Sequence, residues 1–192
     1  MKAKALLAWH FLADKDGKPV LRDGSPAPRV GEKLVVAPPL KMCEHGLHAS
    51  VRAIDALEHA PGRWACRVDC GGVVIGDKDK LVCSELTNLG IVDATQVLHE
   101  FACECADYGL RVAGVTDERC WQALDIKLAW LAGLAGYDDL AAAWAARNAA
   151  RDAARAAARD VAWAAANSRL TSRLLMAMKA ATADPEAQDG KE

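Results

Sequence analysis

The chain has 192 residues, of which 52% are hydrophobic and 26% are charged, with a formal net charge of −2. This length and composition predict one domain plus an appendage, with a core that needs no disulfide or metal for support. No apolar run approaches the ~18 residues that a membrane span needs, which excludes an integral membrane protein. Seven cysteines without a signal-peptide pattern predict a cytoplasmic protein with reduced thiols.

The first part of the chain predicts an α+β fold, in which a small mixed or antiparallel sheet is flanked by helices. Apolar or alternating segments predict strands at residues 3–12, 33–37, 63–69, 73–75 and 81–86, with a turn at Gly71 and Gly72. Ser50 is the predicted N-cap of a helix over residues 51–60, and Asp93 with Gln96 forms a predicted capping box for a helix over 93–107 that Tyr108 and Gly109 end. A third helix is predicted from Thr116, with Asp117 and Glu118 in its first turn.

The Ala-rich segment that follows predicts a helical hairpin or one long helix. In residues 145–160 a four-residue Ala-Ala-Arg repeat aligns the small side chains in one stripe and the arginines in another. An unbroken helix over 139–182 would be roughly 65 Å long. We therefore expect either a break near Asn167 or contact with another chain, such as a second copy bound through the Ala-rich helix. The predicted division is an α+β domain over 1–112, a helical region over 113–182 and a disordered tail over 183–192.

Positive charge is concentrated in this helical region. Residues 140–183 contain six Arg and one Lys against two Asp. Such an excess suits an anionic protein face or a nucleic acid, although it also suits a solvated face that keeps an Ala-rich helix soluble. The candidate binding residues are Arg147, Arg151, Arg155, Arg159, Arg169 and Arg173.

A Cys-x-His-x-x-His pattern stands near the middle of the first domain, at Cys43, His45 and His48. A zinc site would need a fourth ligand from Cys66, Cys70 or Cys83. Cys66 and Cys70 would start ~13 Å apart on one strand, so the spacing favours core thiols and structurally bonded histidines over a metal. Cys43 could instead form a nucleophilic pair with His48 or His10, which would require a polar cleft and an orienting third group.

The order of several motifs resembles an uncharacterised domain that phages and prophages encode. The shared motif, Cys-x-x-Gly-Leu-His-Ala, is formed here by Cys43, Gly46, Leu47, His48 and Ala49, and the resemblance covers roughly residues 3–108. In that family an extended or Ala-rich tail often follows the domain, as it does here. The resemblance implies an accessory protein of phage type and implies no activity.

The chain is also similar to the ADP-ribosyltransferase fold. That fold places an Arg or His on the first strand, a Gly-x-[Tyr/His]-x-[Ser/Ala] turn before a helix, and a catalytic Glu on a later strand. His10, the run from Gly46 to Ser50, and Glu85 could occupy these places. The similarity implies that His10 and His48 hold a nicotinamide dinucleotide and that Glu85 orients the attacking group.

These observations favour an interaction protein that needs no cofactor and binds a host protein or protein complex, for instance as an anti-CRISPR-like inhibitor of a host defence system. The first alternative is an ADP-ribosyltransferase-like enzyme that uses NAD through His10, His48 and Glu85. The second alternative is a helical protein that binds nucleic acid through the arginine stripe. The sequence favours a non-enzymatic role without a metal.

Overall fold

The computed structural model describes residues 5–141 and 160–183. It has the α+β fold that the sequence predicts, with a curled antiparallel sheet and several helices. The strands are β1 Leu6–Lys15, β2 Lys18–Val20, β3 Lys33–Val35, β4 Leu47–Ala49, β5 Trp64–Gly76 and β6 Leu81–Asp93. The helices are α1 Ala53–Glu58, α2 Thr95–Val112, α3 Glu118–Leu131 and α4 Asp160–Ala183.

The strands pair antiparallel in the order β2-β1-β5-β6-β3, and β4 also pairs with β6. Along β6, residues 81–83 pair with β4, and residues 85–87 pair with β3. Directly after β4, the backbone of Ser50 exchanges two hydrogen bonds with Trp9 of β1, with N···O distances of 2.7 and 2.9 Å. This bridge joins β4 to β1, so the sheet curls back on itself.

Strand β1 is buried on both faces, at Ala8, Trp9, Phe11 and Leu12, whereas β6 from Ser84 onward alternates between buried and more exposed residues. The core on one side of the sheet consists of aliphatic and thiol side chains. Its buried members are Ala8, Leu12, Ala49, Cys66, Val68, Cys70, Leu81, Cys83 and Leu86.

The turn predicted at Gly71 and Gly72 is wrong, because β5 runs through both residues to Gly76. The strand has a bulge there instead, with a register shift between Gly71 and Val74. Gly72 adopts a φ of 66°, and the Val73 N–H donates to Ser84 Oγ at 2.8 Å. Because β6 continues alongside, the glycines bend β5 without reversing it.

Helix starts differ from the predictions in two places. Ser50 is not the N-cap of α1: its backbone bridges to Trp9, and the N-cap position falls to Arg52. Helix α2 begins at Thr95, two residues after Asp93, whose side chain accepts from the Thr95 N–H at 2.9 Å. Gln96 does not complete a capping box, because its side chain pairs with Glu100 one turn later.

Helix ends also lie further along the chain than predicted. Helix α2 continues past Tyr108 and Gly109 and ends at Val112. Gly114, two residues later, adopts the left-handed conformation common at helix C-termini.

The break expected near Asn167 does not occur, since α4 is continuous through that residue. The predicted arginine stripe from Arg147 to Arg159 and the tail from residue 184 lie outside the described residues.

The described residues divide into two compact units, one formed by residues 5–95 and 170–183 and one by residues 96–141 and 160–169. In the first unit, Leu170, Leu174 and Met178 of α4 are buried at four-residue spacing, which places them on one helix face. The Met178 sulfur lies next to Gly90 of β6 and occupies the space that a side chain at Gly90 would need.

The domain boundaries predicted at 112 and 182 stay predictions. No helix within 5–141 or 160–183 has the length and apolar character needed to cross a membrane.

The burial pattern of α4 predicts the cost of truncating its buried face. Leu174→Ala should lower the free energy of unfolding by about 2–5 kcal/mol, because Leu174 is fully buried and leaves a cavity. The matched control is Leu175→Ala, whose side chain is 44% exposed and should cost far less. Urea denaturation measures both, and equal losses in the two variants would contradict this packing of α4.

Candidate functional site

A cavity of about 750 Å³ lies in the first unit, between the strands and the loops that connect them. This volume falls within the range of small-molecule sites, which are mostly apolar with a few polar groups. Its apolar wall includes Trp9, Leu34, Leu47, Val68 and Leu86. Its polar and charged lining includes His10, Arg22, Asp23, Cys43, Glu44, His48, Ser50, His59, Lys80 and Asn88.

The structure brings His10 and His48 together at this cavity. They lie on β1 and β4, which the backbone bridge between Trp9 and Ser50 joins. The His10 ring also hydrogen-bonds to the backbone of His48. Burial lowers the pKa of His10 to about 4, so its imidazole is neutral at pH 7.

His48 is also held in its neutral form. Its Nε2 accepts a hydrogen bond from the Cys43 N–H at 2.9 Å, so the proton of the neutral ring resides on Nδ1. Burial lowers the pKa of His48, and the positive charges of Lys80 and Arg22 act in the same direction. Both imidazoles are therefore uncharged, and the His48 ring is already bonded within the turn, to the Cys43 N–H and to the Gly46 backbone.

The turn over residues 41–46 sets the position of the cavity mouth. Lys41 and His45 exchange backbone hydrogen bonds at 2.8 Å, and Cys43 between them has a φ of 63°. Only a small share of residues other than glycine adopt this left-handed conformation. The His45 ring binds the Ala37 carbonyl at 2.9 Å, so both His45 and His48 brace the turn.

Two cationic side chains line the cavity near the histidines. Arg22 donates to the His59 carbonyl at 3.2 Å, and its charge reaches both His10 and His48. A hydrogen bond with the Cys43 side chain raises the pKa of Lys80. Lys80 therefore keeps its positive charge at the cavity.

Glu85, the third residue of the predicted catalytic set, lies on the other face of β6. Leu86 and Asn88 line the cavity, and alternation along the strand places the Glu85 side chain opposite to them. Its Oε2 accepts from Lys33 Nζ at 2.7 Å. The carboxylates at the cavity belong to Asp23 and Glu44.

Only two of the six candidate binding arginines fall within the described residues. The Arg169 guanidinium lies 5.9 Å from the centre of the Tyr108 ring, and Arg173 is partly buried on α4. Arg147, Arg151, Arg155 and Arg159 lie outside the described residues. Binding of a protein partner or nucleic acid through this stripe stays a prediction.

The cysteines and histidines do not converge on a metal position. In the part of the chain that the structure describes, no three His, Cys, Asp or Glu side chains form a group that could hold a metal ion. The thiols predicted to be in the core are buried at Cys66, Cys70 and Cys83, but the prediction is wrong for Cys43, which is exposed. Burial raises the pKa of Cys66 to about 12.

The sequence did not single out Arg22, Lys80 or Asn88 as site residues. Lys80 reaches Cys43 because Leu81, the next residue, pairs with Ala49 of β4. That register depends on strand pairing between distant segments. The one sequence signal for Lys80 was the Asp-Lys-Asp-Lys run before β6. This run predicts a turn, but it does not show which part of the protein the turn residues contact.

Comparison with protein-family models, curated proteins and solved structures finds no match to this chain. The resemblances to a phage-encoded domain and to the ADP-ribosyltransferase fold therefore stay predictions. The candidate site is supported by its own geometry alone.

Gly46 is the tightest position of the mouth turn. Its φ is 128°, and an added Cβ would collide with Cγ2 of Val82. Gly46→Ala should therefore lower the free energy of unfolding by about 1–3 kcal/mol from overpacking, with backbone strain adding to this. Gly76→Ala is the matched control, since its Cβ meets no atom within 4 Å. Urea denaturation compares the two, and equal stability would refute the tight approach of the turn to β6.

The lowered pKa of His10 predicts a loss of stability in acid. Between pH 6.5 and about 4 the unfolded chain protonates this residue while the folded chain does not, so the free energy of unfolding falls as pH falls. The contribution of His10 over this interval is at most about 3 kcal/mol. His10→Gln should remove it and flatten the curve of unfolding free energy against pH, measured by urea denaturation at a series of pH values. A variant curve as steep as that of the parent protein would show that His10 is not the group responsible.

Proposed function

We propose that the protein binds a nicotinamide dinucleotide, or a closely similar anionic nucleotide, in the cavity of the first unit. The observation that carries the proposal is the placement of His10 and His48 on directly bridged strands at the wall of a cavity of about 750 Å³. Helix α1 follows β4 after three residues. This is the order of strand, turn and helix that the similarity to the ADP-ribosyltransferase fold implies for the dinucleotide-holding residues.

The chemistry of the cavity lining supports such a ligand. The His10 ring is bonded to the His48 backbone through one nitrogen, and its other nitrogen can accept a hydrogen bond from a ribose hydroxyl or a carboxamide N–H. Arg22 and Lys80 supply positive charge for a pyrophosphate, and Leu34 and Leu47, which are half-buried in the cavity wall, contribute apolar surface for a ring. A dinucleotide combines these three chemical groups in one molecule.

The proposal concerns binding and assigns no catalytic role to Glu85. That carboxylate pairs with Lys33 on the face of β6 away from the cavity. A transferase would need a carboxylate near the bound ligand, and Asp23 already accepts hydrogen bonds from Ser25. The geometry therefore favours ligand recognition over group transfer by the predicted catalytic set.

Titration with NAD tests the proposal by thermal shift. A ligand at 100 times its Kd should stabilise the folded chain by about 2.7 kcal/mol. His48→Gln should reduce or abolish the shift, because it alters a ring at the cavity wall. Glu85→Gln and His99→Gln are matched controls that should retain it, since Glu85 faces away and His99 packs on Trp130 in the second unit.

Absence of any shift at millimolar NAD would contradict the proposal. A shift that persists unchanged in His48→Gln would place the ligand elsewhere. The same titration with ADP-ribose and with nicotinamide shows which fragment of NAD contributes most of the binding free energy. Nicotinamide alone should raise the melting temperature least, because it lacks the phosphates that Arg22 and Lys80 attract.

A further inference from the structure

A histidine–aspartate pair lies at the cavity, and dinucleotide binding as proposed above does not use it. His59, which directly follows α1, lines the cavity, and its Nε2 bonds to Asp79 Oδ2 at 2.7 Å. Asp79 belongs to the turn between β5 and β6. We propose that His59 is a general base oriented by Asp79, and that it activates water to hydrolyse the pyrophosphate linkage of a dinucleotide held in the cavity. This inference rests on the proposed function, because the dinucleotide must bind there first.

The first observation is the bond between His59 and Asp79, which fixes the position of the ring proton. An ionised carboxylate only accepts hydrogen bonds, so Nε2 carries the proton and Nδ1 keeps its lone pair in the neutral ring. The same hydrogen bond lowers the pKa of Asp79, which is therefore ionised at neutral pH. A histidine base held by a carboxylate in this way is a recurring catalytic arrangement. Asp79 is a positioning residue, since it acts through His59.

The second observation is the position of two cations beside the pair. Arg22 donates to the His59 carbonyl at 3.2 Å, and Lys80 directly follows Asp79 in the chain. Both cations line the cavity. They supply the positive charge for the pyrophosphate, so the phosphates of a bound dinucleotide lie next to the imidazole. Phosphoryl transfer depends mainly on such positioning and charge stabilisation.

The third observation is access of water to the pair. The exposed fraction of the side chain is 44% for His59 and 32% for Asp79. In His48, by contrast, the Nε2 lone pair already accepts from the Cys43 N–H. His59 therefore combines an oriented ring, a position at the cavity and contact with solvent.

The reaction consumes one water molecule and needs no oxidant or reductant. The water oxygen attacks one phosphorus atom of the pyrophosphate while one of its protons passes to His59 Nδ1. The bond from this phosphorus to the bridging oxygen breaks, and the electron pair leaves with the other phosphate. The products of NAD are AMP and nicotinamide mononucleotide, and His59 then releases its proton to solvent.

Incubation of the native full-length protein with NAD tests which bond reacts. The assay contains EDTA, which removes the metal ions that contaminating pyrophosphatases need, and mass spectrometry identifies the products. We expect AMP and nicotinamide mononucleotide in equal amounts. Release of nicotinamide and ADP-ribose instead would overturn the inference, because the glycosidic bond would then be the one that breaks.

His59→Gln should lower kcat by at least about 100-fold, which is the lower end of what general base catalysis contributes. The thermal shift with NAD should remain, since Arg22 and Lys80 still attract the phosphates. Unchanged turnover would overturn the role of His59. Loss of the thermal shift together with turnover would also overturn it, because His59 would then be a binding residue.

Asp79→Asn should lower kcat and leave KM within about twofold, the pattern of an interaction made only in the transition state. The amide can donate to Nε2 and so favours the wrong tautomer of the ring. Asp77→Asn is the matched control and should retain turnover, since Asp77 lies in the same turn but accepts from the Lys78 N–H at 2.8 Å. Equal losses of kcat in both variants would overturn the role of Asp79.

The thermal shift separates this inference from dinucleotide binding. A shift with NAD but no formation of AMP would overturn the hydrolysis and leave the proposed function intact. Absence of both would contradict the proposed function and, with it, the hydrolysis.

Discussion

The curled sheet depends on one short contact, the pair of backbone hydrogen bonds between Ser50 and Trp9. Strand β4 has three residues, too few to hold its position through its pairing with β6 alone. The bridge anchors it to β1 as well, which brings His48 beside His10 and closes one side of the cavity. Buried backbone groups need partners, so this closure also satisfies two N–H and C=O pairs that an open edge would leave to water.

The cavity combines a neutral interior with a charged mouth. His10 and His48 are uncharged because burial disfavours their protonated forms, whereas Lys80 keeps its charge next to Cys43. The turn over 41–46 connects the two parts, since the Cys43 N–H bonds to the His48 ring.

Alternation, turn residues and caps were enough to predict the α+β class, the positions of the principal strands and the starts of α2 and α3. The errors have local physical causes. Gly71 and Gly72 were predicted to form a turn, but β5 pairs with β6 on both sides of them, so they lie in a bulge of the strand. Ser50 was predicted to be an N-cap, but its backbone instead forms the long-range bridge to Trp9.

The sequence by itself determined which residue types were available to the site, including the two histidines and Cys43, whereas the predicted turn at His48 is strand β4 in the structure. Only the tertiary structure decided that His10 joins His48, that Lys80 contacts Cys43 and that Glu85 faces away. The reason is strand register. Each of these relations depends on which residues of distant strands pair, and a shift of one residue would move every side chain of a strand to the opposite face.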